Sequence, residues 1–243
     1  MPESAGSSDR SADRVRAALA AALHAADDGL DALVRVCRVG LTCLPVDGMS
    51  ISLVVEGTQG ETLYVSDEVI SRIETLQFSL GEGPCFEAFD TRRPVLVADL
   101  ATSTTPAWPV LATEIAAEPI GAIFAFPLLR GAISLGAMDL YRRHPGTLSA
   151  IEISIALYIA DIATHALLGL RLDAIDARWW TELPSNRAQV NQAIGMLISA
   201  LGLSAEQVLA RLRGYAFVAG RLVDDVADDL VHRRLDPREL GQP

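Results

Sequence analysis

Residues 187–234 read RAQVNQAIGMLISALGLSAEQVLARLRGYAFVAGRLVDDVADDLVHRR. Val190, Ala193, Ile194, Leu197, Ile198 and Leu201 recur at the three-and-four spacing of one helical face. Gly202 stops that helix, and Ser204 with Glu206 and Gln207 starts another as a capping box. Val208, Leu209, Leu212, Tyr215 and Ala216 form the stripe of the second helix, which Gly220 ends. Leu222, Val223, Val226, Ala227, Leu230 and Val231 form that of a third. So small a three-helix bundle has no room for a substrate-sized cavity. It offers a surface, and therefore reads as a recognition module.

Ahead of it the pattern changes. Residues 14–44 read as helix, ended by Pro45 and Gly48. Residues 49–56 (MSISLVVE) and 61–66 (ETLYVS) read as strands around a glycine-bearing hairpin turn. A Gly-rich turn then leads into a short helix over CFEAFD, and Val95–Val97, Ile120–Leu128 and Gly136–Tyr141 read as further strands. From Leu148 to Leu172 a helical stripe returns. Helix, antiparallel strands, small helices, strands and helix in that order predict an α+β domain with helices packed on a sheet. The expected organisation is a disordered lead over 1–13, a sensor domain with its N-terminal helix over 14–168, a helical coupler over 169–184 and the small bundle over 185–236.

Composition narrows the function. The chain has 243 residues, half of them apolar, and a net charge of −11. All 20 basic residues are arginine, a bias that GC-rich coding explains more simply than phosphate recognition does. The acidic total argues against a non-specific nucleic-acid coat. Residues 185–243 nevertheless hold seven Arg against seven Asp and Glu, so the whole excess lies in front of them. Within the bundle, Arg211, Arg213 and Arg221 gather on and after the second helix, and Asp224, Asp225, Asp228 and Asp229 line the third. The polar start and the lack of a long apolar run predict a cytoplasmic protein with no membrane partner. Three cysteines, Cys37, Cys43 and Cys85, fit a reducing compartment. The four histidines lie at no metal-ligand spacing, so no metal is assigned, and no cofactor is named. There is no phosphate-binding glycine loop, no nucleophile elbow and no HExxH, so the chain reads as a non-enzyme.

Two resemblances sharpen this. Arg187, Val190, Gln192, Ala193, Gly195, Met196, Leu197, Leu212, Arg213, Ala216, Leu222, Asp225, Val226 and Ala227 resemble the ANTAR domain, the RNA-binding output module of bacterial transcription antiterminators. Many members carry a lysine where Ile194 stands here. The segments GEGPCFEAFDTRRPVLVADL (81–100) and FAFPLLRGAISLGAMDLYRR (124–143) resemble a GAF domain, a small-molecule sensor and dimerisation unit, over about residues 28–168.

The resemblances imply a homodimeric, signal-responsive regulator that binds paired leader-RNA stem-loops and prevents a terminator hairpin from forming. The alternatives are a DNA-binding regulator, whose third helix would bring four aspartates to the phosphates, and a sensor or dimerisation protein with a degenerate RNA module. The residues expected to touch RNA are Arg187, Gln192, Arg211, Arg213, Tyr215 and Arg221. Tyr215 could stack on an unpaired base or equally cap the bundle core. Candidates for lining a pocket for an unidentified small molecule are Cys85, Phe86, Phe89, Trp108, Phe124, Phe126 and Met138, although for each ordinary core is the commoner role of such a residue. Cys85 beside a helix start could also sense redox change. The stretch 101–119 reads as a lid carrying Trp108 or as a plain surface loop. The stripe of the last sensor helix continues through Leu172 and Trp179, with Leu183 leading on to Arg187 and Val190. The expected dimer joins through these helices, with Trp179 and Trp180 at the joint.

Overall fold

A computed structural model describes residues 5–55, 58–103, 107–173 and 187–241. Two helices open the chain, α1 (Ala5–His24) and α2 (Gly29–Cys43). The helix expected over 14–44 is thus two helices, because Asp28 takes extended backbone and its side chain accepts the Asp31 N–H as an N-cap. Helix α1 begins at Ala5, inside the stretch expected to be a disordered lead.

Strands β1 (Gly48–Val55), β2 (Thr58–Val65), β3 (Val95–Val97), β4 (Ala122–Arg130) and β5 (Ile133–Arg142) form one sheet in the order β2-β1-β5-β4-β3, antiparallel throughout. Between them lie α3 (Glu68–Leu80), α4 (Pro84–Thr91) and α5 (Pro109–Ile115). Helix α6 (Ala150–Asp173) follows the sheet. The stretch 101–119 is therefore partly helical: Trp108 is the N-cap residue of α5 and is buried, neither lid nor loop tip.

Strand alternation divides the side chains between the two sheet faces. On one, Met49, Ile51, Leu53, Phe124, Phe126, Leu128, Met138 and Leu140 pack against Val36 and Cys37 of α2 and Ile155, Ile159 and Ala163 of α6. Over residues 150–169, α6 is long and apolar enough to cross a bilayer by composition, which the sequence reading did not anticipate. Its buried side chains explain this apolarity by packing on the sheet, while Ile151, Leu157 and Tyr158 remain exposed. On the other face Ile70, Ile73 and Leu76 of α3 pack with Trp108, Leu111, Ile115, Ile123 and Tyr141.

The small bundle is α7 (Ala188–Leu201), α8 (Ala205–Val218) and α9 (Val223–Val231), closed by a short 3-10 turn over Pro237–Gly241. Gly202 caps α7 at φ 67°, where a side chain would be strained. Ser204 and Gln207 form the expected capping box at the start of α8. Of the coupler, α6 supplies residues up to Asp173. Trp179, Trp180 and Leu183 lie outside the described residues.

Candidate functional site: a polar pocket beneath the C-terminal module

The site starts from α3, which the sequence reading left unassigned. Asp67 accepts the N–H groups of Val69 and Ile70 and so fixes the helix start. Ile70 and Ile73 anchor α3 to the sheet. The same inner side then carries Glu74 and Gln77, both buried, opposite polar strand residues. Ser50 and Ser52 of β1 donate to Glu74 Oε1 and Oε2 at 2.6 Å each. Gln77 Nε2 donates to Asp139 Oδ2 of β5 at 2.7 Å, and Gln77 Oε1 accepts the Cys85 N–H at 2.8 Å. Gly83 has a φ of 145°, and a Cβ there would collide with the Gln77 side chain, so this turn needs glycine.

Glu74 makes the base of the pocket acidic. Behind Gln77, Asp139 is 1 % exposed and is paired with Gln77 and Glu74. Burial, followed by the nearby Glu74 charge, pushes its carboxyl well above the usual carboxylate range. Burial likewise raises the Cys85 thiol well above its ordinary value, with Asp139 and Glu74 adding to the effect. A thiol held protonated is a poor nucleophile.

The small bundle covers the mouth. Arg187, directly before α7, is 6 % exposed, with its guanidinium carbon 3.5 Å from the centroid of the Phe78 ring. Its Nη2 donates to the Glu74 carbonyl at 3.4 Å, and its Nη1 lies 3.9 Å from Asp224 Oδ2 of α9. Arg213 of α8 donates from Nε to the Phe78 carbonyl at 2.9 Å. Arg213 thus meets a carbonyl of the last turn of α3, where free carbonyls and the helix dipole favour cations, and Arg187 meets one a turn earlier. The stacking on Phe78 adds a cation–π contact. Burial, and then Arg187, lower the Arg213 pKa to about 10, so its docking sacrifices hydration. Packing crosses the junction in both directions: Phe78 joins the bundle core with Val190 and Val223, and Leu222 rests against the Ile70–Trp108 cluster. Ser79 Oγ accepts the Val223 N–H at 3.2 Å.

With Arg187 in place, the space bounded by Ser52, Thr62, Glu74, Gln77, Cys85 and Phe86 has a volume of only about 10 Å³. Beside it, between α3, α5 and the α8–α9 turn, a wider cleft of about 360 Å³ opens.

The family pattern of the GAF domain matches residues 15–168, and that of the ANTAR domain matches residues 182–231. The chain belongs to the GAF domain family, with an ANTAR domain following the sensor. The fold agrees. The GAF domain of a phosphoenolpyruvate-protein phosphotransferase from Coxiella burnetii is 16% identical and superposes with a TM-score of 0.56, over 69% of this chain and 98% of that one. Its Acinetobacter counterpart is 13% identical, with a TM-score of 0.54, over 68% of this chain and 97% of that one. The chromophore-binding domain of a bacteriophytochrome from R. palustris is 12% identical, with a TM-score of 0.50, over 72% of this chain and 64% of that one. At these identities the likeness concerns fold alone. No curated protein matches the chain.

The GAF–ANTAR junction sorts the residues named from sequence. Cys85 and Phe86 line the pocket, and half-buried Phe89 packs beside them. Phe124, Phe126 and Met138 do not, because their strand positions point them to the opposite face of the sheet, into the core beneath α2 and α6. Trp108 belongs to the α3–α5 cluster, where its Nε1–H donates to Glu87. Glu82 of the GEGP turn accepts the Val110 and Leu111 N–H groups and so holds the start of α5.

In the ANTAR module, Gln192 and Arg211 are exposed, and Arg211 also donates to the Leu240 carbonyl. Arg221 is exposed and pairs with Asp229 at 2.7 Å. Tyr215 is half-buried against the module core. Arg187 and Arg213 instead face the sensor, and Arg187 is covered there. Ile194 is a core residue between α7 and its neighbours, so the lysine-to-isoleucine departure falls inside the module in this arrangement. The sequence reading missed Ser50, Ser52, Thr62, Glu74, Gln77, Phe78 and Asp139. Its available signal was polar residues at alternate positions of otherwise apolar strands.

Proposed function

We propose that the protein is a signal-responsive antitermination regulator, in which a small molecule read by the GAF pocket controls RNA binding by the ANTAR module. The observation that carries this reading is the stacking of Arg187 on Phe78 of α3, the helix whose Glu74 and Gln77 line the pocket. A ligand able to move α3 or Arg187 acts on the module without an intervening relay. The docked arrangement and a released one are the two states that this reading of the coupling requires. Docked, the module withholds two of its arginines; released, it presents them beside Gln192, Arg211, Tyr215 and Arg221.

A bound ligand suits the site better than thiol oxidation, because Cys85 is buried with a raised pKa. The proposed target is a pair of stem-loops in leader RNA, held by a homodimer in the cytoplasm. Exposed Ile151, Leu157 and Tyr158 on α6 offer an apolar surface for pairing two copies.

Selection from a pool of the organism's own transcripts tests the function. Enrichment of leader stem-loops, lost when Gln192 and Arg211 are both replaced by alanine, is expected. Enrichment of duplex DNA instead would contradict it. Leu157→Asp should convert a dimer to a monomer in sedimentation; a wild-type chain already monomeric at micromolar concentration would contradict pairing.

A further inference from the structure

The pocket holds a guanidinium from its own chain, and that guanidinium shows what the pocket is built to bind. Arg187 lies over the Phe78 ring at 3.5 Å, reaches the Glu74 carbonyl and is almost wholly withdrawn from water. Behind it the walls are polar: Glu74, Gln77, Thr62 and Ser52. Asp139 shares its face of β5 with Ala137 and Tyr141, which pack on the α4 and α3 sides, and it is held behind Gln77, which lines the pocket.

A ring with a cation over its face, the Glu74 carbonyl and the buried Glu74 carboxyl form a receptor for a planar organic cation. An anion would meet Glu74 at the base of the same pocket. The remaining space, about 10 Å³, is too small for a ligand beside the arginine, so a ligand must take its place.

We propose that the GAF pocket is a site for a small organic cation of the guanidine or alkylamine class, and that such a ligand displaces Arg187 from Phe78 and releases the ANTAR module. This rests on the ligand-responsive reading above and names its ligand chemistry. Displacement is a direct competition: the ligand takes the ring, the Glu74 carbonyl and the acidic base, and Arg187 returns to solvent carrying the charge it needs to contact phosphate. The internal arginine lowers the apparent affinity by the fraction of molecules in which it fills the site.

The full chain titrated calorimetrically with agmatine tests this, with urea at equal concentration as the uncharged isostere of guanidinium. Agmatine is expected to bind and urea not to bind. If Arg187 occupies the site in about 90 to 99 % of molecules, Arg187→Ala should bind agmatine about 10- to 100-fold more tightly than wild type. Arg187→Gln, which keeps a long polar side chain without charge, should also bind more tightly. Glu74→Gln should bind more weakly. No agmatine binding by folded Arg187→Ala and Arg187→Gln, or equal binding of urea, would overturn the site. RNA affinity measured on the same samples separates the two readings. Agmatine binding with unchanged RNA affinity overturns displacement as the control while leaving the site, and RNA selection without agmatine binding leaves the regulator and overturns the cation site.

Discussion

The two faces of the sensor sheet are made from the same strands and differ in almost everything else. Facing α2 and α6, the side chains are Met49, Ile51, Leu53, Phe124, Phe126 and Met138, a continuous apolar core. Facing α3 and α4, the same strands contribute Ser50, Ser52, Thr62 and Asp139, buried and polar. Apolar burial stabilises at about 25 cal/mol per Å², whereas a hydrogen-bonded buried polar group contributes about 1 kcal/mol net. The first face therefore holds most of the fold. The second carries the proposed site. The ANTAR module docks on the same side, on Phe78 and Ser79 of the helix that covers the polar residues.

The contrast breaks first at Phe126. Phe126→Ala should cost about 3 to 5 kcal/mol in denaturant unfolding, by lost burial and the cavity left in the core. A loss no larger than that of Ser52→Ala would erase the distinction between the faces.

Asp139 sharpens it from the polar side. Its folded pKa lies above its unfolded value, so the folded state binds the proton more tightly. Stability from this group is fully present below the unfolded carboxylate pKa and is lost as pH rises through the folded one. Asp139→Asn removes that loss while keeping an acceptor for Gln77. It should raise stability by about 1 to 3 kcal/mol at pH 8, the scale of a buried group relieved of desolvation, and change it little at pH 3. Equal effects at both pH values would contradict a charge-based cost.

The smallest expected effect lies at the α7–α8 corner of the ANTAR module. Ser204→Ala removes the capping-box acceptor for the Gln207 N–H and should cost about 1 kcal/mol. Hydrogen exchange should show that loss in α8 and spare the sheet. Equal deprotection of β4 and β5 would mean that the two domains unfold as one unit.

The sequence disclosed the framework better than the site. Strong alternation placed β1, β4 and β5 within about two or three residues, and Gly202 with Ser204 placed the α7–α8 corner. Helix α3 escaped for an instructive reason: Glu74 and Gln77 occupy positions where an apolar stripe would continue. The residues that make the pocket are those that interrupt the pattern by which its helix would be recognised. Phe124, Phe126 and Met138 were read as pocket residues because period-two patterning separates two faces without saying which one meets a ligand. Arg187 and Arg213 were legible as charges near the module's first two helices. Their docking on Phe78 depends on a tertiary contact across more than a hundred residues, which no local pattern encodes. Ile194 fits its helical stripe and packs in the core as that stripe indicates.

The central claim is that the GAF pocket restrains the ANTAR module through Phe78. Phe78→Ala tests it most directly, because it alters the sensor side and leaves every proposed RNA contact intact. With the fold verified by hydrogen exchange in β1 and β5, the affinity of the full chain for a selected leader stem-loop should rise about tenfold, the release expected if some nine-tenths of molecules are docked. An unchanged or weaker affinity in a folded Phe78→Ala protein would contradict the account.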